Sequence, residues 1–365
     1  MDTFDLLRTL TETPGPSGFE ADVAAIIQEI WEPLADEIHV DRVGSLVGIK
    51  HGRGEMPNGQ KRPRILLAAH MDEIGLMVAN IIEYKGYGYL RMTNLGGIDI
   101  RQLFNQRVIV HGKRNLPGLL GSIPGRMLPS EKHGKPFDYE SLVVDTGLPY
   151  DKLKKVVEIG DAISFQQPLR KLKNNHVTGK SLDNRCSVTA VTLALEYLQD
   201  RHHLWDVIAV ATAQEETRLL GAATSAFTYR PDIAIAIDVT FGNGPGTSDP
   251  GTFDLGGGPV IGRMPDTHDG VTKGIVKAAE KLEMSTQNEY RTRGGGTDAY
   301  YLQIAREGIP TSVIGIALRY MHTVVESIHT KDVERVGRLL GEYITTLDEN
   351  SLDELAKSMM EEEKQ

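Results

Sequence analysis

The sequence predicts an α/β fold, a mainly parallel sheet with helices on both faces, interrupted by a small β-rich domain. Short apolar runs suited to buried strands recur at 65–69, 207–212, 233–237 and 311–316, with helically spaced stretches between them, and that alternation builds a parallel layer. Between about Gly75 and Asn174 helical spacing gives way to short β-prone pieces among Gly, Pro and Asn turns. The 365 residues leave room for two or three domains, at ~100–200 residues each.

Each element has a local reason. Ser17 and, three residues on, Glu20 form a capping-box pattern ahead of Val23, Ile26, Ile27, Ile30, Trp31 and Leu34, whose spacing is that of an amphipathic helix. Polar, glycine-rich sequence from His51 to Lys61 predicts an exposed connection. Ile65 to Ala69 is a continuous apolar run, as in a strand covered on both faces. Gly88 to Met92, Arg107 to His111 and Ala162 to Phe165 are the β-prone pieces of the insert. Val188, Val191, Leu195 and Leu198 mark a helix, and Val207 to Thr212 and Ile233 to Ile237 two strands. Val271, Ile275, Ala279 and Leu282 mark a further helix, Thr311 to Ile316 a strand, and Val333, Val336, Leu340, Tyr343 and Leu347 a final long helix. The expected division is a discontinuous α/β catalytic domain (1–74 and 175–348), the insert (75–174) and a charged tail (349–365).

Composition excludes several classes. With 40 Lys+Arg against 50 Asp+Glu, the formal net charge is -10. There is no basic footprint for nucleic acid and no attraction to an anionic membrane. No window approaches the ~18 consecutive apolar residues of a membrane span. The first ten residues lack the basic flank and apolar core of a secretion signal. The single cysteine, Cys186, can form no internal disulfide and reads as a small buried hydrophobe. The expectation is a cytoplasmic protein.

Chemistry-bearing residues stand where the apolar runs end. The run 65–69 leads into His70-Met71-Asp72-Glu73, 207–212 into Gln214-Glu215-Glu216, 233–237 into Asp238, and 311–316 is followed shortly by His322. Open α/β sheets bind ligands at the carboxyl ends of their strands. Asp183 lies just before a helix. Singly, each is better explained as a turn, cap or solvated residue. Jointly, like charges converging on one crevice need compensation, which a divalent metal supplies. Two His and three carboxylates suit Zn²⁺ or a related borderline ion, with one further carboxylate free to act as a general base.

Six stretches then carry a resemblance: His70-Met71-Asp72-Glu73-Ile74-Gly75, Leu182-Asp183-Asn184-Arg185, Gln214-Glu215-Glu216, Ala236-Ile237-Asp238-Val239-Thr240, Gly294-Gly295-Gly296-Thr297-Asp298-Ala299 and Arg319-Tyr320-Met321-His322-Thr323. In this order they resemble the tetrahedral aminopeptidases, di-metal peptidases that include glutamyl and deblocking aminopeptidases. The resemblance implies removal of N-terminal residues from peptides with two divalent ions per subunit, Zn or Co. It implies that Asp183 bridges the ions, that His70 and Asp238 complete one site, and that Glu216 and His322 complete the other. Glu215 would be the base acting on the bridging water, and Asp72 would orient the His70 ring. Thr297 and Asp298 become candidates for a substrate-pocket wall, although three glycines before a helix equally suit a tight turn. A homo-dodecamer with a tetrahedral cavity, paired through the insert, is also implied.

One departure is visible. Thr217-Arg218-Leu219-Leu220-Gly221-Ala222 stands where relatives often read Val-Gly-Leu-Arg-Gly-Ala, which bears on the loop and on side-chain preference. Two other function classes are carried alongside. Some relatives bear an endoglucanase label and paired carboxylates can cleave sugars, giving a glycoside hydrolase; the other is a non-catalytic, metal-stabilised assembly protein.

Overall fold

The computed structural model describes residues 1–59, 61–127, 130, 139–247, 250–292 and 296–362. Its centre is an eight-stranded sheet in the order Glu37–Val40, Leu46–Lys50, Asp206–Thr212, Arg64–His70, Ile233–Phe241, Thr311–Leu318, Val260–Arg263 and Gln287–Tyr290. The strands from Asp206–Thr212 to Thr311–Leu318 run parallel, and antiparallel pairings attach the flanking strands on each side.

Period-two alternation in these strands feeds two cores. Ile65, Leu67, Ala69, Ile233, Ile235 and Ile237 face one side, beneath helices that include Thr3–Glu12, Ala21–Trp31, Leu182–Tyr197, Asp269–Lys281 and Thr330–Thr346. Leu66, Ala68, Ile208, Val210, Ala234 and Ala236 face the other, beneath Leu220–Tyr229 and Ala299–Gln303. Because both faces are covered, the strands read as unbroken apolar runs. The α/β class predicted from those runs is the one the chain adopts. Helices Leu182–Tyr197 and Thr330–Thr346 approach closely at Gly337, where a Cβ would lie 2.7 Å from Leu193 Cβ.

Six strands between Gly75 and Phe165 close into a barrel, in the order Gly75–Tyr84, Tyr87–Leu95, Leu142–Pro149, Asn115–Ser122, Arg107–His111 and Ala162–Phe165. The barrel has its own core, built on residues such as Leu76, Val78, Leu90, Val108 and Val144, and closure removes the unpaired edges of an open sheet. The chain returns through a three-stranded sheet of Arg170–Lys171, His176–Gly179 and Glu326–His329.

One local expectation changes and one element goes unread in the sequence. Ser17 and Glu20 form no capping box: the helix begins at Ala21, Ser17 Oγ lies against Thr217 Oγ1, and the Glu20 carboxylate accepts the N–H of Gln214. A tertiary contact to the loop after Thr212 takes the acceptor that the helix start would have used. The N-terminal helix Thr3–Glu12, which buries Leu6, Leu7 and Leu10, carries no signal read from the sequence. The charged tail includes a helix, Ser351–Glu362. Among the described residues no helix is long and apolar enough to cross a membrane.

Candidate metal centre

The centre forms at one edge of the sheet, where four parallel strands end. His70 is the last residue of its strand and only 2% exposed. Its Nε2 lies 3.2 Å from Asp183 Oδ1, 3.7 Å from Glu215 Oε2 and 3.8 Å from Asp238 Oδ1. The second imidazole, His322, places Nε2 3.4 Å from Asp183 Oδ2 and 3.5 Å from Glu216 Oε2. Two sets of donor atoms, His70/Asp183/Glu216 and His70/Glu215/Asp238, each fall within 4.8 Å of one another. All five residues expected as ligands therefore meet at one place.

The backbone that delivers them is unusual. Asp183 and Asn184 lie within the assigned helix but have non-helical dihedrals, so Asp183 is not a helix cap and its carboxylate turns to the imidazoles. Ser181, Gln214, Leu219, Tyr320 and His322 all have φ between +56° and +63°, a left-handed conformation that costs non-glycine residues free energy and persists where the surroundings enforce it. The sequence gives no sign of these positions.

Asp72 sits deeper. Its Oδ1 is 3.4 Å from His70 Nδ1, alongside its own carbonyl oxygen at 3.3 Å. The same carboxylate accepts the backbone N–H groups of Glu215 at 3.0 Å and Glu216 at 3.1 Å, so it also fixes the turn from which the two glutamates diverge. Glu326 has a matching place that sequence reasoning missed: Oε2 accepts the N–H of Asp183 and Oε1 that of His322, each at 3.0 Å. The barrel reaches the centre at Gly96 and Gly97. His322 hydrogen-bonds the Gly97 backbone, and a Cβ on Gly97 would lie 3.0 Å from His322 Nδ1.

Thr297 lines the cavity over the centre, which has a volume of about 560 Å³ and also includes Phe241, Arg291, Gly296, Tyr300 and Arg218 on its wall. Asp298 does not reach that wall. It is 3% exposed and accepts the Thr212 hydroxyl proton at 2.5 Å, bracing the end of a central strand. Gly294 and Gly295 lie outside the described residues. Cys186 is fully buried in the core.

The electrostatics ask for a cation. Burial first, then neighbouring carboxylates, pushes Glu215 up to about 10, Glu216 to about 8 and Asp238 to about 7. Burial would raise Asp183 too, but hydrogen bonds from His322 and His70 hold it well below the usual carboxylate range. That Asp183 hydrogen bond is the first cause of the rise of His322 to about 9. Carboxyl groups that keep protons at neutral pH mark more negative charge than the protein itself balances, and a divalent ion displaces such protons. Imidazole nitrogens and carboxylate oxygens at this spacing fit ions such as Zn²⁺ or Co²⁺.

This geometry agrees with what related proteins show. A profile of the M42 glutamyl aminopeptidase family matches residues 44–339. The chain belongs to the M42 aminopeptidase family. It is 32% identical to the lysyl aminopeptidase of Pyrococcus furiosus over 93% of this chain and 96% of that one. The TET aminopeptidase of a marine-sediment Thaumarchaeota archaeon superposes with a TM-score of 0.88 at 32% identity, covering 97% of this chain and 98% of that one. The TET1 peptidase of Pyrococcus horikoshii, described as assembling into a tetrahedron or a large octahedral shell, superposes with a TM-score of 0.81 at 31% identity, over 95% of this chain and 100% of that one. As an M42 member the chain is a metal-dependent aminopeptidase, an enzyme that cuts peptide bonds.

Proposed function

We propose that this M42 aminopeptidase works through two divalent ions, Zn²⁺ or Co²⁺, with Asp183 bridging them. His70 and Asp238 would complete one site, and Glu216 and His322 the other. The observation that carries the reading is the Asp183 carboxylate, whose two oxygens each meet a different imidazole, at 3.2 Å and 3.4 Å. When bound, the ions polarise the scissile carbonyl, lower the pKa of water and stabilise developing negative charge.

The protein's own groups do the rest. Glu215 is the general base: it takes a proton from the attacking water and returns it to the leaving amine. Its neighbour Glu216 is turned toward His322, and the Asp72 carboxylate, by holding both backbone N–H groups, keeps the two side chains in different roles. Asp72 also steadies the His70 ring. The first residue of the peptide enters the cavity past Thr297, Tyr300, Phe241 and Arg291, with Asp298 acting behind that wall. Arg218 on the same wall adds a positive charge at the cavity.

The catalytic unit comprises 1–74 and 175–348, with the segment 75–174, which contains the barrel, inserted. The barrel exposes Tyr84, Tyr87, Leu119 and Ile123, each more than half accessible. Apolar surface of this kind suits pairing of subunits, and a dodecamer is the assembly proposed. A single buried cysteine suits the reducing cytoplasm.

The deciding experiment is a panel of aminoacyl anilides, assayed after metal stripping and again with Zn²⁺, Co²⁺ or Mn²⁺. Release of the first residue should vanish on stripping and return with metal. Turnover that survives exhaustive chelation would overturn the two-metal reading. Light scattering of the metal-loaded protein should give twelve subunits; a mass near one subunit would remove the assembly.

A further inference from the structure

We propose that Glu326 is a positioning residue for the metal centre, fixing the spacing between Asp183 and His322 by holding the backbone of both. The inference rests on the two-metal reading above. Glu326 is 2% exposed and opens the strand Glu326–His329, which pairs with His176–Gly179, the segment leading directly to Ser181 and Asp183. Its position is therefore set by a sheet, independently of any ion.

From there one carboxylate reaches two loops. Oε2 accepts the Asp183 N–H and Oε1 the His322 N–H, each at 3.0 Å. Asp183 and His322 come from separate parts of the chain, and both carry left-handed or non-helical backbone next to their functional side chains. Without an acceptor, two N–H groups would be left to find other partners and the loops would be free to separate. Asp72 does the same for Glu215 and Glu216. Two buried carboxylates thus hold the backbone of Asp183, Glu215, Glu216 and His322. Neither touches the reacting atoms, so each acts through the residues it holds.

Removing such a carboxylate also removes a negative charge, which would weaken metal binding without any positioning role. Two substitutions separate these effects. Glu326→Gln keeps the shape but replaces one acceptor with a donor facing an N–H. Glu326→Asp keeps the charge but withdraws the carboxylate by one methylene, so it cannot span both loops. The measurement is Co²⁺ binding to stripped full-length protein, read by its visible absorption in competition with a chelator, with kcat and KM measured in parallel.

For both variants the weaker-binding ion should lose about 10–100-fold in affinity, the usual cost of disturbing an outer partner of a ligand. The fall in turnover should lie in kcat with KM little changed, while the stripped protein still unfolds cooperatively, its melting temperature lower by only a few degrees. If Glu326→Asp binds both ions as tightly as wild type, the positioning role is wrong, whether or not Glu326→Gln is impaired or folds. A lower melting temperature with unchanged affinities would make Glu326 merely structural and also overturns it. If wild type itself binds fewer than two ions, it is the two-metal reading that fails instead.

Discussion

One oxygen of the Asp183 carboxylate lies 3.2 Å from Nε2 of His70. Its other oxygen is 3.4 Å from the imidazole of His322, which stands on a different loop. Glu216 pairs with His322 at 3.5 Å and lies within 4.8 Å of His70, whereas Asp183 meets both imidazoles within 3.4 Å, so its removal should affect both ions together. Asp183→Asn keeps the volume and one carbonyl oxygen while withdrawing the charge. Elemental analysis should then find both sites depleted, and kcat/KM should fall by more than the ~100-fold typical of outer partners. Retention of two ions per subunit would count against a bridging role.

Glu215 gives the opposite pattern. Its Oε2 is 3.7 Å from His70 Nε2, yet the role proposed for it is proton transfer and not coordination. Glu215→Gln should keep both ions and a near-normal KM while kcat falls by ~10²–10⁴. Kinetics and metal analysis on the same preparation check this. Turnover close to wild type would remove Glu215 as the base.

How far the sequence carries the structure depends on whether an effect is local. The strands at 65–69 and 233–237 are legible because both faces are covered by helices, which forces an unbroken apolar run. His70 and Glu216 are legible for the same reason, at or just past a strand end, whereas Asp238 follows its apolar run but lies inside the strand, which continues to Phe241. Glu326 is not, because its partners are the backbone N–H groups of Asp183 and His322, and a backbone donor has no signature in side-chain identity. Glu20 misleads in the same way: it fits a helix-start pattern, but Gln214, distant in sequence, supplies the N–H it accepts. The left-handed conformation of His322 is imposed by tertiary contacts, so no glycine announces it.

Gly337 tests the packing that sets the floor of the catalytic unit. A Cβ there would lie 2.7 Å from Leu193 Cβ and 2.8 Å from the Ala190 carbonyl oxygen, neither of which is the far end of a flexible side chain. Gly337→Ala must therefore push two long helices apart. Chemical denaturation should show a loss of ~1–3 kcal/mol, the usual cost of overpacking. A variant as stable as wild type would mean that the two helices part without loss.

Glu73 links the centre's foundation to pH. Its carboxylate is fully enclosed, with Lys180 Nζ at 2.5 Å, Arg185 Nη2 at 3.8 Å and the Gly15 N–H at 3.0 Å, and the Ser181 hydroxyl bonded to it. Burial raises such a carboxyl, but the Lys180 and Arg185 cations and the hydrogen bonds outweigh it, so the group titrates below its ordinary 4.5. A pKa lower in the folded than in the unfolded protein gives stability that is fully present above the unfolded value and is lost as pH falls through the folded one. Glu73→Gln removes that contribution and leaves two buried cations without their counter-charge, at a cost of ~3–5 kcal/mol near neutral pH. Denaturant unfolding of both stripped proteins should show this gap between pH 6 and 7 and a narrowing gap below about pH 4.5, where Glu73 of the unfolded chain takes up its proton while the folded group does so only at lower pH. Stripping matters because carboxylates around a bound ion lose it in the same acid range. A gap that stays constant down to pH 3.5 would show that Glu73 supports the fold by shape and not by charge.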